Sequence, residues 1–290
     1  MRNRIAREIS YAGSAETRGG RTLIRLLENA TGRIGLIRRA QGYEREVAAG
    51  RCFWQVMADR YGLGLEVTGG ALSDIPSDGP LVLVANHPFG ILDGLMMGLI
   101  LRRVRGDFRI LAHQVFCRAT DLGELILPVR FDATKEAIEQ NLETRSEALR
   151  YLGAGGAVGV FPGGTVSTAA TPLARPMDPQ WRLFTARMIA KSGATVVPIY
   201  FEGANSRLFQ LASHLHMTLR LALLIREFRA RTDQPVRVVI GRPLDRRDLD
   251  ARANDPKAMM DFLRKATYDL SPTPLDPLER GLEFEERYRT

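Results

Sequence analysis

Cysteine is almost absent: Cys52 and Cys117 are the two in 290 residues. Neither lies in a metal or redox spacing, which argues against a disulfide scaffold or a thiolate zinc site. They suit small buried fillers in a reducing compartment. Long apolar runs are lacking too. No stretch reaches the ~20 residues that a membrane-spanning helix needs. The arginine-rich N-terminus has no secretory pattern. There are four histidines, and no serine or cysteine sits in a nucleophile elbow. Internal repeats and low-complexity tracts are missing. What the chain does have is positive charge, 41 Lys and Arg against 33 Asp and Glu, a net +8. That balance suits acidic partners such as an anionic lipid surface, an acidic carrier protein or nucleic acid. The arginines are spread along the chain and no nucleic-acid motif accompanies them, so nucleic acid is not expected.

The chain reads as three regions. Residues 1–61 are basic and helical. Leu23, Leu26, Leu27, Ala30, Ile34 and Ile37 recur at helical spacing, with Gly32 and Gly35 weakening one continuous helix. Such a stripe fits a helix docked on a core or one lying on a membrane surface. Docking is the expectation, and a hairpin allows both. Residues 62–270 alternate strands and helices, the pattern of an α/β sheet. Expected strands are Leu63–Thr68, Leu81–Ala85, Phe108–Ala112, Ile126–Val129, Ala157–Phe161, Val196–Phe201 and Val236–Ile240. Expected helices are Gly94–Val104, Lys135–Leu152, Trp181–Ser192, Ser206–Arg229 and 256–270. The apolar Ser206–Arg229 run is interrupted by His214, His216, Arg220 and Arg226, so it should not cross a bilayer. It reads as a core helix that could also touch lipid. Residues 271–290 read as an irregular tail.

One corner carries chemistry. The strand Leu81–Ala85 runs into Asn86-His87-Pro88-Phe89-Gly90-Ile91-Leu92-Asp93-Gly94, after which apolar residues recur at helical spacing. A histidine oriented by an aspartate is a good general base. Residues six apart are turned roughly 120° on an ideal helix. His87 and Asp93 can therefore meet only if His87 stands in the loop before the helix, and Pro88 and Gly90 permit that entry. The remaining histidines are poor metal ligands: His214 and His216 do not share a helix face, and His113 has no ligand spacing around it. No metal or cofactor is expected.

Further stretches follow in order: Phe108–Gln114, Leu125–Arg130, Phe161-Pro162-Gly163-Gly164-Thr165-Val166-Ser167, Val196–Gly203 and Val236–Leu244. Each is weak alone. In this order and spacing, over roughly residues 62–270, they resemble the motifs of the glycerolipid acyltransferase superfamily, the bacterial PlsC-like enzymes. The His-Pro-Phe-Gly corner with its longer spacing to Asp, and Tyr200–Ser206, resemble a bacterial branch often labelled hemolysins. Nothing here resembles a lytic toxin. The resemblance implies an α/β fold with a mixed, largely parallel sheet flanked by helices and preceded by the N-terminal helical segment.

It also implies a reaction. A fatty acyl group would pass from acyl-CoA or acyl carrier protein to the hydroxyl of a lyso-lipid. His87 would be the base and Asp93 its orienting partner, with no covalent enzyme intermediate. Oxyanion donors would come from amides near Gly90 and Gly163–Thr165. Asn86, Gly90, Arg130, Phe161, Pro162, Gly163, Gly164, Thr165 and Ser167 would line the substrate. The enzyme would sit peripherally on the cytoplasmic face of the inner membrane, attracted by anionic lipid. The third motif departs from the family: its usual glutamate is Gly163 and its usual arginine is Val166. Either Arg130, Arg118 or Arg175 grips a phosphate instead, or the acceptor is a lyso-aminolipid rather than lysophosphatidic acid. A thioester hydrolase, or a non-catalytic basic protein on the same scaffold, is the competing class.

Overall fold

A computed structural model describes residues 10–15, 17–113, 125–130 and 134–284, the side chains of Ser14 and His113 excepted. Cys117 and Arg118 lie outside the described residues. The helices are α1 (Arg18–Thr31), α2 (Arg33–Ala40), α3 (Tyr43–Ala48), α4 (Phe53–Tyr61), α5 (Ile91–Arg105), α6 (Lys135–Gly153), α7 (Leu183–Ser192), α8 (Arg207–Leu215), α9 (Met217–Ala230), α10 (Arg246–Asp250) and α11 (Pro256–Tyr268). The strands are β1 (Gly64–Gly69), β2 (Leu81–Ala85), β3 (Arg109–His113), β4 (Ile126–Val129), β5 (Ala157–Val160), β6 (Thr168–Ala169), β7 (Pro176–Met177), β8 (Thr195–Phe201) and β9 (Pro235–Ile240).

Seven strands form one sheet in the order β1-β9-β8-β2-β5-β3-β4. Every neighbouring pair is parallel except β8–β9. The expected mixed, largely parallel sheet is what the chain forms. The run Leu81–Ala85 is continuous because β2 is central and buried on both faces. Successive side chains serve opposite faces. Leu81, Leu83 and Ala85 join a core with α4, α5 and α9, and Val82 and Val84 join a second core with α6, α7 and α11. Proline is rare in a central strand, since it cannot donate to the ladder. Pro198 stands opposite Gly241, just past the end of β9, so its missing N–H interrupts no bond of that ladder, and its carbonyl still accepts the Gly241 amide at 2.9 Å. A side chain at Gly241 would strike the Pro198 ring.

The N-terminal helices are docked on the sheet domain. A Cβ at Gly98 of α5 would lie 2.3 Å from the Trp54 ring of α4, so the two helices touch backbone to indole. The register of the stripe differs from the expectation. Ile24, Leu36 and Ala40 are buried, whereas Leu23, Leu26 and Ile34 face outward. Gly32 divides α1 from α2 at φ 131°, where a Cβ would overlap Arg229. The expected helix Ser206–Arg229 is also two: His216, in extended conformation, separates α8 from α9 and its ring accepts the Thr218 amide. A short hairpin, β6–β7, follows the third motif and was not expected.

Candidate active site

The C-terminal edge of the sheet gathers the motifs by register. Val84, Val160, Leu111 and Leu127 lie in one row across β2, β5, β3 and β4. Three residues further along come His87, Gly163 and Arg130. The same rim thus holds all three, with Arg130 three strand spacings from His87, roughly 14 Å.

His87 does stand in the loop before α5. Its Nδ1 is 2.9 Å from Oδ2 of Asp93, which is fully buried. The two atoms are close, but the contact falls short of hydrogen-bond alignment. The same Oδ2 accepts the amides of Phe89 (2.8 Å) and Gly90 (2.9 Å). Asp93 is the third residue of α5, so its carboxylate also faces the positive helix terminus. Oδ1 is buried without a hydrogen-bond partner among the described residues. Burial therefore pushes the Asp93 carboxyl above the usual carboxylate range, opposed by His87 and the two amides. With Nδ1 turned to Asp93, Nε2 is left as the proton-accepting nitrogen. Phe161 stacks on the imidazole at 4.4 Å and 26°.

Gly90 makes the corner possible. Its φ of 97° and ψ of −115° suit glycine alone. A Cβ there would also crowd Val166 Cγ2 at 3.2 Å. Gly90→Ala should lower stability by ~1–3 kcal/mol, the usual cost of such backbone strain, and should depress activity by shifting the amides that hold Asp93. Denaturant midpoints and initial rates would test both effects.

Asp178 is the residue that sequence reasoning missed. It is fully buried and knits the corner to the third motif. Its Oδ1 accepts the His87 amide (3.1 Å) and the Ser167 hydroxyl; its Oδ2 accepts the Trp181 indole N–H (2.9 Å). The Ser167 amide donates in turn to the His87 carbonyl at 2.8 Å. An Asp-Pro turn between two elements is an ordinary sequence feature, so only the fold reveals this role.

The changed third motif now has a physical account. A Cβ at Gly163 would come 3.2 Å from Asp178 Cβ and Cγ, so a larger side chain there would need Asp178 to give way by a few tenths of an ångström. Val166 is buried with Phe209 and Leu224, a site unsuited to an arginine. The cation beside this loop is Arg220 of α9, which donates to Val166 O (2.9 Å), Thr165 Oγ1 (3.2 Å), Thr168 Oγ1 (2.5 Å) and Ser213 Oγ (3.0 Å). Burial pushes its guanidinium down to about 9, still cationic at neutral pH. Tyr11 reaches the same corner: its hydroxyl is 3.6 Å from the Cβ position of Gly90, and its amide donates to buried Glu28 at 2.6 Å.

Several expected substrate contacts are placed elsewhere. Asn86 is buried, and its amide exchanges two hydrogen bonds with the Phe201 backbone (2.7 and 2.9 Å), tying β2 to β8. Ser167 faces inward to Asp178. The Pro162 carbonyl accepts the Arg182 amide. The Gly90 and Gly164 amides are occupied by Asp93 and Phe161 O, so neither is an oxyanion donor. Arg175 is exposed and donates to Pro274 O at 3.1 Å. The Arg130 backbone is clamped by Asn141 through two bonds of 2.9 and 2.7 Å. No helix among the described residues is long and apolar enough to cross a membrane.

The family model described as Acyltransferase matches residues 38–276. A lyso-glycine lipid O-acyltransferase of Phocaeicola vulgatus is 24% identical over 218 residues, 71% of this chain and 73% of that protein. A protein of the same name from Bacteroides thetaiotaomicron is 21% identical over 218 residues, 71% of this chain and 75% of its own. Among solved structures, the 1-acyl-sn-glycerophosphate (LPA) acyltransferase PlsC of Thermotoga maritima aligns at TM-score 0.45 and 17% identity, covering 88% of this chain and 98% of that one.

Proposed function

The chain belongs to the acyltransferase family, and on that premise we propose that it moves a fatty acyl group from acyl-CoA or acyl carrier protein to the hydroxyl of a lyso-lipid. The observation that carries this reading is the His87–Asp93 pair at the rim of the sheet, 2.9 Å apart with the carboxylate buried. His87 Nε2 takes the proton as the acceptor oxygen attacks the thioester carbonyl. The tetrahedral oxyanion is held by the remaining loop amides, Gly163 and Thr165. Collapse breaks the carbon–sulfur bond, and the imidazolium returns its proton to the leaving thiolate. Asp93 fixes the tautomer and balances the imidazolium charge, as the carboxylate does in hydrolytic triads. The work is peripheral to a membrane, on its cytoplasmic face.

The acceptor is a lyso-aminolipid bearing a carboxylate. Two observations support this: positions 163 and 166, a glycine tight against Asp178 and a valine buried among apolar side chains, offer no charged group to grip a phosphate, and both curated relatives are named for a lyso-glycine lipid. Offered a lyso-aminolipid and lysophosphatidic acid together, the enzyme should prefer the former by about tenfold, the effect of one charge-assisted hydrogen bond of ~1.5 kcal/mol. Preference for lysophosphatidic acid, abolished by Arg130→Ala, would return the assignment to phospholipid synthesis.

A further inference from the structure

Helix α9 has neighbours on two sides. Ile24 of α1 packs on its Ala222, and Ser213 of α8 bonds its Arg220. At about 100° per residue, Leu219, Leu223 and Arg226 then share the outward stripe between those neighbours, and all three are half-buried. The flanking helices carry exposed leucines of their own: Leu23 and Leu26 of α1, and Leu208, Leu211 and Leu215 of α8, with Leu26 62% and Leu215 75% exposed.

The charge on this surface has one sign. The acidic residues of α1, α8 and α9 are Glu28 and Glu227, and both are buried. The charges that face solvent are arginines. At the joined C-terminal ends of α1 and α9 lies a cavity of about 370 Å³ lined by Thr31, Arg226, Arg229 and Ala230. Arg226 pairs with Glu227 at 2.9 Å, and Arg229 donates to Thr31 O at 3.3 Å. Arg229 therefore adds a charge that no carboxylate among the described residues offsets.

We propose that this three-helix face docks on an anionic bilayer, its leucines entering the interfacial zone and the Arg226–Arg229 cavity receiving a lipid phosphate. Exposed leucines beside unopposed arginines are the composition that binds such a surface. A second copy fits less well, because a twofold interface would set arginine against arginine. The inner side of α9 touches the catalytic corner: Leu224 is 3.8 Å from the Cβ position of Gly90. A docked face would thus hold the bilayer about one helix diameter, ~10 Å, from the proposed base. This inference rests on the acyl-transfer reading only in that the acceptor is a lipid.

The test is co-sedimentation of the full chain with phosphatidylcholine vesicles, with and without phosphatidylglycerol. Wild type should prefer the anionic vesicles and be released by salt. Leu26→Asp/Leu215→Asp should weaken partitioning at least ~10-fold. Arg229→Gln should weaken it ~5-fold, on anionic vesicles alone. Turnover of a short-chain, micelle-free acceptor should match wild type in both, which also verifies folding. Charge-indifferent binding by wild type, or variants that bind as wild type does, would overturn the proposal. So would a wild-type dimer that Leu26→Asp/Leu215→Asp dissociates without changing vesicle binding. A wild type that docks through this face but acylates nothing would instead sink the acyl-transfer reading.

Discussion

Replacing His87 with alanine should lower kcat by at least ~10², the contribution of a positioned general base, and leave the fold intact. The side chain is partly exposed and its contacts are few: Asp93 at one nitrogen and the Phe161 ring on one face. Removing the partner of a buried charge is ordinarily costly. Here the cost is limited, because the Asp93 carboxyl already lies above its usual range and can take up a proton. Its bonds from the Phe89 and Gly90 amides survive in either state. Steady-state rates beside a thermal melt would decide. Near-native kcat in a protein that melts normally would eliminate the proposed mechanism.

Asp93→Asn should be as severe in rate, and for a different reason. His87 and the two backbone amides all meet the same oxygen, Oδ2, so the asparagine oxygen takes that position and the corner persists. Its NH2 then replaces Oδ1, and no negative charge is left to balance the imidazolium that forms when His87 accepts the proton. The loss in kcat should be at least ~10², the contribution of the positioned base. Stability should move the other way. Because burial raises the Asp93 carboxyl, the native state binds that proton more tightly than the unfolded chain does. Its contribution therefore falls as pH rises from the unfolded value, about 3.8, through the raised native one, and the cost is fully present above that. Asparagine lacks this term. Denaturant midpoints should show the variant gaining on wild type across that window and holding the gain at neutral pH. A variant that loses stability relative to wild type as pH rises would refute this account of the buried carboxylate.

Much of the site was legible in the chain, where local chemistry decided it. The continuous run Leu81–Ala85 announces a strand buried on both faces. The His87–Asp93 spacing requires a loop histidine if the two are to meet, and the order of the motifs matches that of a known family. The departure at Gly163 and Val166 was equally visible, but its cause was not. Asp178 lies fifteen residues beyond Gly163 and meets it only after the β6–β7 hairpin turns the chain back. Arg220 reads as one more polar interruption of an apolar helix until His216 breaks that helix and turns the guanidinium toward Thr165 and Val166. Tyr11 belongs to the corner because Glu28 draws its backbone onto α1.

Periodicity could say that the N-terminal stripe and the Ser206–Arg229 run were amphipathic, but not which leucines face inward. Hydrophobic spacing measures how a segment can be buried, and Leu23 or Ile24 satisfies it equally. The choice falls to the partner surface: Ala222 of α9 accepts Ile24 and leaves Leu23 and Leu26 in solvent. The sequence alone therefore determined the sheet and the His87–Asp93 corner, because backbone propensity and short-range spacing suffice for them, and the class of chemistry followed from the resemblance of its ordered motifs to a known family. The third-motif electrostatics and the outward leucine face were decided by contacts between residues far apart in the chain, whose geometry no local pattern encodes.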